Sequence, residues 1–438
     1  MCCFIVVYMQ CLKEEDNWLK AGLIRQPIED LQYRLSKFVV KLSVKDGCLL
    51  YNAATGSLLF FENDADFQSS KEYLIANWFF VPIRDFDEFL WVDFLRDKKR
   101  ELSREDSIKS YLIMTTMNCN ARCFYCYEKG RKPISMPQKT ANDVADFIIA
   151  NTKSKKVKVS WFGGEPLVNY KAIDIICERL KQNGFYYHSH IISNGLLFSD
   201  ELIERSKKLW NLKKAQITID GTESVYLKTK AYKDSTGNEF QKVISNIEHL
   251  LRNDVSVSIR LNQSKENTND LLNLVDLIKC KFHLFNNLSV YNRLLFEEKI
   301  TDEVETAYFE LKHKLIHLGL LKPKYGEAIK YAQCMADNDS SMVITPDGHI
   351  GKCEHFSEDY FVGNIYDKNL NQQLMNQFKE VFPPIPSCNS CALYPSCVRI
   401  KLCPSHLDAC TEFIRKDLLQ NLHYMMNRYY QTWKKKKE

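Results

Sequence analysis

Three cysteines fall within eight residues in the stretch Cys119-Asn-Ala-Arg-Cys123-Phe-Tyr-Cys126, which follows the apolar run Ser110-Tyr-Leu-Ile-Met-Thr-Thr-Met117. Thiolates are soft ligands that suit iron–sulfur clusters, and clusters held by protein alone usually take four cysteines. A short loop with the spacing C-x3-C-x2-C can therefore hold three corners of a cubane and leave one iron open. This octapeptide alone also allows half of a zinc site, or ordinary buried cysteines after a strand.

The composition of the whole chain is that of an ordinary globular protein. Its 438 residues predict two or three domains, and 45% of them are apolar while 26% are charged. The net charge of +5 is small for this length, and part of it lies in the run Lys434 to Lys437, which is typical of a solvated tail. Nothing in the charge pattern indicates nucleic-acid binding.

Sixteen cysteines are a high count for a chain that shows no export signal. The start, Met1-Cys-Cys-Phe-Ile-Val-Val-Tyr-Met9, lacks the positive charge and the small-residue cleavage site of a signal peptide. No apolar run approaches the roughly 20 residues of a membrane span. We therefore expect a cytoplasmic protein whose cysteines serve metal or catalytic ligation rather than disulfides.

Residues 1–105 predict a compact module of strands followed by helices. Turns at Asp46-Gly47 and Thr55-Gly56 separate apolar runs, which is a hairpin signal. The charged stretch 96–106 is predicted to connect this module to the rest. The module can capture an extended peptide by strand addition, or it can be a structural appendage. The predicted strands are 38–44, 48–52 and 57–61, and the predicted helices lie within 16–33, 67–77 and 86–95.

Residues 106–325 alternate between strand and helix patterns, which predicts repeated βαβ units and a parallel sheet. In such sheets functional residues lie at the carboxyl ends of the strands. The predicted strands are 111–117, 157–161, 188–192, 215–219, 255–261 and 288–291, and the predicted helices are 141–151, 172–180, 199–209, 240–251 and 268–278.

Polar candidates fall at those strand ends. Gly163-Gly164-Glu165-Pro166 ends the second strand, where glycines let backbone approach a ligand and Glu165 offers a charge to an ammonium group. Ser193-Asn194 ends the third strand, and Asp220 ends the fourth. Arg260, near the end of the fifth, can bind a carboxylate through its planar fork. A structural ion pair or cap explains Asp220 and Arg260 equally well.

A second group of cysteines begins after residue 326. Cys353 follows a hairpin whose turn is Pro346-Asp347-Gly348. Few large apolar residues lie between Cys388 and Cys410, so bound metal has to substitute for a core there. A zinc ribbon has the same C-x2-C pairs and remains the alternative. The cysteines of this region are Cys334, Cys353, Cys388, Cys391, Cys397, Cys403 and Cys410.

The C-x3-C-x2-C loop, with Tyr125 before its third cysteine, and the later Gly-Gly-Glu-Pro motif resemble the radical S-adenosylmethionine (radical SAM) superfamily. The resemblance covers roughly residues 110–295 and implies a partial (β/α)6 barrel. It implies that the open iron of a [4Fe–4S] cluster binds S-adenosylmethionine, whose cleavage yields a 5′-deoxyadenosyl radical that takes hydrogen from a substrate. The implied cluster ligands are Cys119, Cys123 and Cys126, and the implied cofactor contacts are Tyr125, Gly163, Gly164, Glu165, Pro166, Ser193 and Asn194. From their strand-end positions, Arg260 is expected to be a further cofactor contact and Asp220 a catalytic residue.

Gly348-x4-Cys353 and Cys388-x2-Cys391-x5-Cys397 resemble the SPASM extension of radical SAM peptide-modifying enzymes. The predicted organisation is thus an N-terminal α+β module (1–105), a barrel (106–325) and a Cys-rich iron–sulfur domain with a basic tail (326–438). The spacing to Cys403 is wider than usual and Cys410 comes early, which leaves the ligand assignment open. Carried over, the pattern gives one auxiliary [4Fe–4S] cluster to Cys388, Cys391, Cys397 and Cys410, and a second, with an open iron, to Cys334, Cys353 and Cys403.

The resemblance implies an enzyme that forms a thioether or other crosslink in a ribosomally made precursor peptide, with an electron donor such as flavodoxin or ferredoxin. An anaerobic sulfatase maturase that makes formylglycine is the runner-up, because Glu354 lies near the position of its acidic general base. The N-terminal module favours the peptide maturase, since sulfatase maturases begin close to their cysteine motif. A non-catalytic metal-bound peptide carrier is a hypothesis of another class, but it needs neither the cysteine triad nor Gly-Gly-Glu-Pro.

Overall fold

The computed structural model describes residues 9–15, 26, 31–103, 107–326, 328–355, 358–403 and 410–437. The chain forms two compact units. The first unit comprises Met1–Arg104, Pro323–Asp337 and Phe378–Glu438, and the second comprises Glu105–Lys322 and Asn338–Gln377. The three-domain division made from the sequence stays a prediction, and the helix predicted within 16–33 falls almost wholly outside the described residues.

The N-terminal part of the first unit is a four-stranded antiparallel sheet with helices. The sheet has the order β1-β5-β4-β3, which confirms the three predicted strands and adds an edge strand beside β5. The helices and strands of this N-terminal part are β1 (Met9–Lys13), β2 (Tyr33–Leu35), β3 (Val39–Val44), β4 (Gly47–Asn52), β5 (Leu58–Phe61), α1 (Asp64–Ser69), α2 (Lys71–Ala76), β6 (Phe80–Pro82) and α3 (Glu88–Leu102).

Helix α3 corrects the prediction that residues 96–106 are a connection. Asp87 caps its start by accepting from the Phe89 and Leu90 amides. The helix continues through the charged residues to Leu102, because pairs three residues apart, such as Arg100 with Asp97, stabilise its exposed face. The apolar pattern stops at Leu95, which is why the sequence underestimates its length.

The second unit contains six parallel strands that are neighbours in chain order, β7 to β12, as the sequence predicts. Alternate residues such as Val157, Val159 and Trp161 are buried in its core. This is the predicted α/β fold, a partial (β/α)6 barrel. Its elements are β7 (Ser110–Thr116), α4 (Gln138–Asn151), β8 (Lys156–Gly163), α5 (Tyr170–Gln182), β9 (Tyr186–Ser193), α6 (Asp200–Lys208), β10 (Leu212–Thr218), α7 (Glu223–Lys230), α8 (Glu239–Arg252), β11 (Ser256–Gln263), α9 (Thr268–Phe282), β12 (Leu288–Leu294) and α10 (Asp302–His317).

Three short strands extend this sheet beyond β7. The predicted hairpin, β13 (Ser341–Ile344) and β14 (His349–Gly351), is confirmed, and β13 pairs with β7 in parallel. Strand β15 (Gly363–Asn364) follows β14, and α11 (Gln372–Gln377) ends this segment. The buried Lys352 ties the segment together, because its ammonium group donates to two backbone carbonyls, those of Asn338 (2.7 Å) and Ser341 (2.6 Å).

The C-terminal part of the first unit is short 3₁₀ turns around the cysteines, Pro386–Ser390 and Tyr394–Ser396, followed by the long helix α12 (Glu412–Lys437). The lysine run forms the last turn of α12, where cations suit the helix dipole. Across the described part of the chain, no helix combines the length and apolarity that a membrane crossing requires.

Candidate functional site

The three cysteines Cys119, Cys123 and Cys126 lie on the loop that follows β7, at the carboxyl end of the strand. Their thiols are half-buried and near enough to act on one another electrostatically. Burial raises the pKa of the Cys119 thiol to about 11, and the charges of Glu165 and of the other two thiols add to the rise. Three crowded thiolates are therefore unfavourable without a compensating cation, which is what the irons of a cluster provide. The donor set thus fits a cluster that takes three protein ligands.

Tyr125 anchors this loop through a buried polar network. Its phenol donates to Asp220 Oδ2 (2.7 Å) and accepts from Asn262 Nδ2 (3.0 Å) and Lys230 Nζ (3.2 Å). Lys230 also forms an ion pair with Asp220 at 2.8 Å, and their side chains are only 2% and 1% exposed. Burial by itself lowers the pKa of Lys230. The negative charges of Asp220, Tyr125 and Cys123 outweigh the effect of burial and raise the pKa of Lys230 well above its ordinary value.

These contacts also define the surroundings of Asp220, whose catalytic role stays a prediction. Its oxygens receive the Tyr125 phenol, the Lys230 ammonium group and the Asn262 amide, so the carboxylate is committed to the structure. Through its hydrogen bond with Tyr125, Asp220 also holds the cysteine loop.

Sequence reasoning missed Lys230 and Asn262. Helix α7, which ends at Lys230, was not predicted, because its apolar residues Val225, Tyr226 and Leu227 are consecutive and mark no helical face. Nothing in the sequence pairs Lys230 with Asp220. Asn262 could have been found, because it follows Arg260 by two residues on β11 and therefore shares its face of the sheet near the carboxyl end.

Glu165 was expected to meet an ammonium group, but its carboxylate is fully buried and already satisfied. It accepts from Ser193 Oγ (2.9 and 3.1 Å), from the Asn194 amide (2.8 Å) and from the Leu167 amide (3.2 Å). Asn194 in turn donates from Nδ2 to Asn120 Oδ1 (2.7 Å) in the cysteine loop. Glu165, Ser193 and Asn194 therefore tie the ends of β8 and β9 to that loop, and their contact with a cofactor stays a prediction.

The two glycines before Glu165 allow the end of β8 to pack closely against the backbone that follows β7. A Cβ at Gly163, whose φ is +118°, would lie 2.1 Å from Thr116 O, and one at Gly164 would lie 2.4 Å from Asn118 O. Pro166 then starts the 3₁₀ turn Pro166–Asn169 and is buried. Any side chain at these glycines would push the cysteine loop away from β8.

Glu165 should make stability depend on pH. Burial raises its carboxyl pKa from an ordinary 4.5 to about 7, although hydrogen bonds oppose the rise. The folded chain then binds the extra proton between these values, so the free energy of unfolding falls as pH rises from about 4.5 to 7. One pKa unit corresponds to about 1.4 kcal/mol, so the fall is on the order of 3 kcal/mol.

Urea unfolding of the apo chain at several pH values measures this dependence. The difference in unfolding free energy between wild type and Glu165→Gln should shrink as pH rises toward 7, whereas Glu178→Gln, at an exposed position on α5, should show no such trend. A difference that stays constant with pH would show that Glu165 ionises normally.

Arg260 is available for an anion. Its Nε donates to Asn262 Oδ1 (2.9 Å), and among the described residues no carboxylate lies within ion-pair distance of it. Guanidinium groups bind carboxylates through two parallel hydrogen bonds, so the predicted contact with a cofactor carboxylate is chemically reasonable. That role stays a prediction.

Cys353 and Glu354 lie beside the cysteine loop within the second unit. The His355 ring stacks on Tyr127, the residue after Cys126, with centroids 3.9 Å apart, and also meets Phe296 at 4.9 Å. Glu354 is close enough for its charge to act on the Tyr127 phenol. The proposed acidic base, Glu354, therefore lies near the cluster loop. The neighbouring aromatic residues Tyr127 and Phe296 are partly exposed, at 37% and 48%. Its action on substrate stays a prediction.

Four further cysteines come together in the first unit. Burial raises the pKa of Cys391 and Cys397, and the charges of Cys388 and Cys410 raise both further. Four such thiols are the usual protein complement of a [4Fe–4S] cluster, so this set fits one. Cys334 and Cys403 belong to the first unit and Cys353 to the second, so their grouping stays a prediction. In the described ranges, no three His, Cys, Asp or Glu side chains converge tightly enough to hold a single metal ion.

Comparison with known proteins identifies both cysteine regions. Residues 113–278 match the family model of the radical SAM superfamily, and residues 334–392 match that of SPASM, an iron–sulfur cluster-binding domain. A GTP 3′,8-cyclase of Clostridium perfringens is 26% identical over 292 residues, covering 61% of this chain and 86% of its own. The radical SAM cyclopropyl synthase TigE of Paramaledivibacter caminithermalis is 21% identical over 328 residues, covering 67% of this chain and 68% of its own.

Solved structures share the fold. Native anSMEcpe with bound AdoMet superposes with a TM-score of 0.55 at 15% identity, over 74% of this chain and 99% of that one. Streptococcus suis SuiB bound to its precursor peptide SuiA gives a TM-score of 0.50 at 15% identity, over 84% of this chain and 95% of that one. The chain therefore carries a radical SAM domain and a SPASM domain, and it is an enzyme whose cofactors are iron–sulfur clusters and S-adenosylmethionine.

Proposed function

We propose that this enzyme modifies a peptide, by forming a thioether or other crosslink in a ribosomally made precursor. The observation that carries the proposal is the presence, in one compact unit, of a second four-thiol set and a strand-rich N-terminal sheet. The sheet has two edge strands, β1 and β3, and sheet edges take up extended peptides by strand addition. SuiB with its precursor peptide and anSMEcpe with Cp18Cys peptide lend support from the same fold.

The residues of the second unit would hold the reacting groups in place. A cluster on Cys119, Cys123 and Cys126, with S-adenosylmethionine, supplies one-electron chemistry that removes a hydrogen atom from a substrate. The Tyr125–Asp220 hydrogen bond fixes the loop that carries these thiols. Rigid support of this kind matters because a displacement of about 1 Å can cost on the order of 100-fold in rate.

Glu354 would accept a proton from the peptide, since a half-buried carboxylate beside the cluster loop is placed for general-base work. Tyr127, Phe296 and His355 form an aromatic wall next to it that would pack against a peptide side chain and exclude water. Burial, followed by the charges of Arg131 and Arg260, lowers the pKa of His355 to about 4, so its ring is neutral near pH 7 and suited to this apolar role.

Three other functions remain to be separated from this one. A sulfatase maturase would use Glu354 to convert a Cys or Ser to formylglycine. A nucleotide enzyme is suggested by the 26% identity to GTP 3′,8-cyclase. A carrier would bind clusters and peptide without turnover.

One anaerobic assay separates all four functions. The reconstituted enzyme receives S-adenosylmethionine, dithionite in place of a flavodoxin or ferredoxin, and in parallel a Cys-rich peptide encoded beside its gene, a sulfatase-derived peptide, or GTP. We expect 5′-deoxyadenosine together with a loss of two hydrogens from the Cys-rich peptide. Formylglycine, a GTP-derived product, or no 5′-deoxyadenosine at full iron loading would each replace the proposal with the corresponding alternative.

The iron content tests the proposed cysteine grouping. Three clusters of four irons predict about 12 iron per chain after anaerobic reconstitution. Cys388→Ala should reduce this to about eight, whereas Cys280→Ala, at an exposed cysteine on α9, should leave it unchanged. Stoichiometric zinc with only about four iron would assign the C-terminal cysteines to a zinc ribbon instead.

A further inference from the structure

The C-terminal cysteine region and the N-terminal sheet share one core. Cys388 belongs to the same buried cluster as residues of β3, β4 and α3. The ring of Tyr394, between Cys391 and Cys397, stacks on Phe38 with centroids 5.8 Å apart and meets Phe89 edge-on at 4.7 Å. The loop that carries Cys397 is therefore built on the N-terminal module.

Arg96 on α3 holds that loop directly. Its Nη2 donates to the carbonyl oxygens of Tyr394 (2.7 Å) and Cys397 (2.6 Å), and its Nε donates to Lys330 O (3.2 Å). The guanidinium lies 4.6 Å from the Tyr394 ring centroid, a cation–π distance. The Arg96 side chain is 13% exposed and forms an ion pair with Asp93 at 3.0 Å. Because Asp93 is 51% exposed, solvent screens this ion pair, and Asp93 neutralises the charge of Arg96 only in part.

Arg415 on α12 approaches the same cysteine set from another element. Its Nη1 lies 3.4 Å from Cys410 Sγ and donates to that sulfur. Its charge also acts on Cys391, and that of Arg96 acts on Cys397, in both cases against the rise in thiol pKa that burial causes. Two cations thus face the four thiols from two helices.

We propose that Arg96 and Arg415 hold and electrostatically tune the auxiliary cluster bound by Cys388, Cys391, Cys397 and Cys410. The potential of an iron–sulfur cluster depends on net charge, hydrogen bonds to its sulfurs and exposure. Reduction adds a negative charge, so a fixed cation nearby favours the reduced state and raises the potential. The N-terminal module, which carries Arg96, is thereby part of the auxiliary-cluster site. This inference rests on the clusters alone and does not depend on the substrate.

The test is a redox titration of the reconstituted full chain, followed by EPR, in a background of Cys119→Ala, Cys123→Ala and Cys126→Ala that removes the signal of the first cluster. Arg415→Gln should lower the reduced-to-oxidised ratio at a fixed poise about tenfold, which is about 59 mV for a one-electron couple. Arg96→Lys keeps the charge but not the fork, so its potential should stay near that of the background while a chelator removes its iron faster.

Matched controls lie on the same helices. Arg100→Met on α3 and Arg428→Gln on α12 remove exposed arginines that have no contact with the cysteine set in the described structure. A potential in Arg415→Gln equal to that in Arg428→Gln would overturn the tuning role. Iron retention in Arg96→Lys equal to that in Arg100→Met would overturn the holding role. Arg415→Gln removes one sulfur contact and no backbone contact, so it should fold and decide the question even where an Arg96 variant does not.

Discussion

Replacing Cys123 by alanine is expected to reduce 5′-deoxyadenosine formation to the background level of a cluster-free protein. The loop offers three thiols, and their charges act on one another, so each is placed to serve as a ligand of one cluster. Loss of an outer-shell partner alone typically costs roughly 10- to 100-fold at a metal site, so loss of one of three ligands should exceed that. The measurement is anaerobic chromatography of 5′-deoxyadenosine with dithionite as reductant.

Two variants frame this result. Cys177→Ala removes a buried core thiol on α5 that belongs to neither cysteine set, and cleavage of S-adenosylmethionine should survive in the folded protein. Cys388→Ala should still cleave S-adenosylmethionine in uncoupled fashion but lose peptide modification. The reason is that Cys388 lies in the first unit, whereas the three cysteines that support cleavage lie in the second. Near-normal 5′-deoxyadenosine in Cys123→Ala would contradict the assignment of the loop.

Replacing Lys230 by methionine is expected to destabilise the second unit by about 3–5 kcal/mol, the range seen when one partner of a buried ion pair is removed. Asp220 would keep a charge in a site that is 1% exposed, and the Tyr125 phenol would lose a neighbour at 3.2 Å. Urea unfolding of the apo chain measures the free energy. Hydrogen exchange of residues 119–126 should also become faster, because the network anchors that loop.

The double variant Lys230→Met with Asp220→Asn removes both charges and should recover much of the loss. Lys228→Met, two residues away at an exposed position of α7, should change the free energy of unfolding by less than about 0.5 kcal/mol. Equal changes in the free energy of unfolding for Lys228→Met and Lys230→Met would show that the buried Lys230–Asp220 pair does not contribute to stability as proposed.

Local patterns predicted the barrel well. Strands β8 and β9 alternate buried residues with more exposed ones, and the turn Pro346-Asp347-Gly348 marks its own hairpin. The parallel pairing of β13 with β7 was not predictable, because it joins residues more than 200 positions apart and depends on no local signal. The packing of Phe38 on Tyr394 within the first unit escaped prediction for the same reason.

At the site, sequence reasoning found the cysteines but not the way the other polar residues are used. Residue type and strand-end position suggested that Glu165 and Asp220 face a ligand. In the structure both carboxylates accept hydrogen bonds or ion pairs from other residues of the chain. Those partners are known only from the three-dimensional contacts. Lys230, which neutralises Asp220, lies on a helix with no predicted buried face.

An isotope measurement tests whether the cysteine loop supports hydrogen abstraction from a peptide. A Cys-rich peptide deuterated at its cysteine and neighbouring carbons is incubated anaerobically with the reconstituted enzyme, S-adenosylmethionine and dithionite, and 5′-deoxyadenosine is examined by mass spectrometry. Wild-type enzyme should yield deuterated 5′-deoxyadenosine, whereas Cys123→Ala should yield none. Unlabelled 5′-deoxyadenosine from wild type, formed equally with and without the peptide while GTP is consumed, would contradict hydrogen abstraction from the peptide.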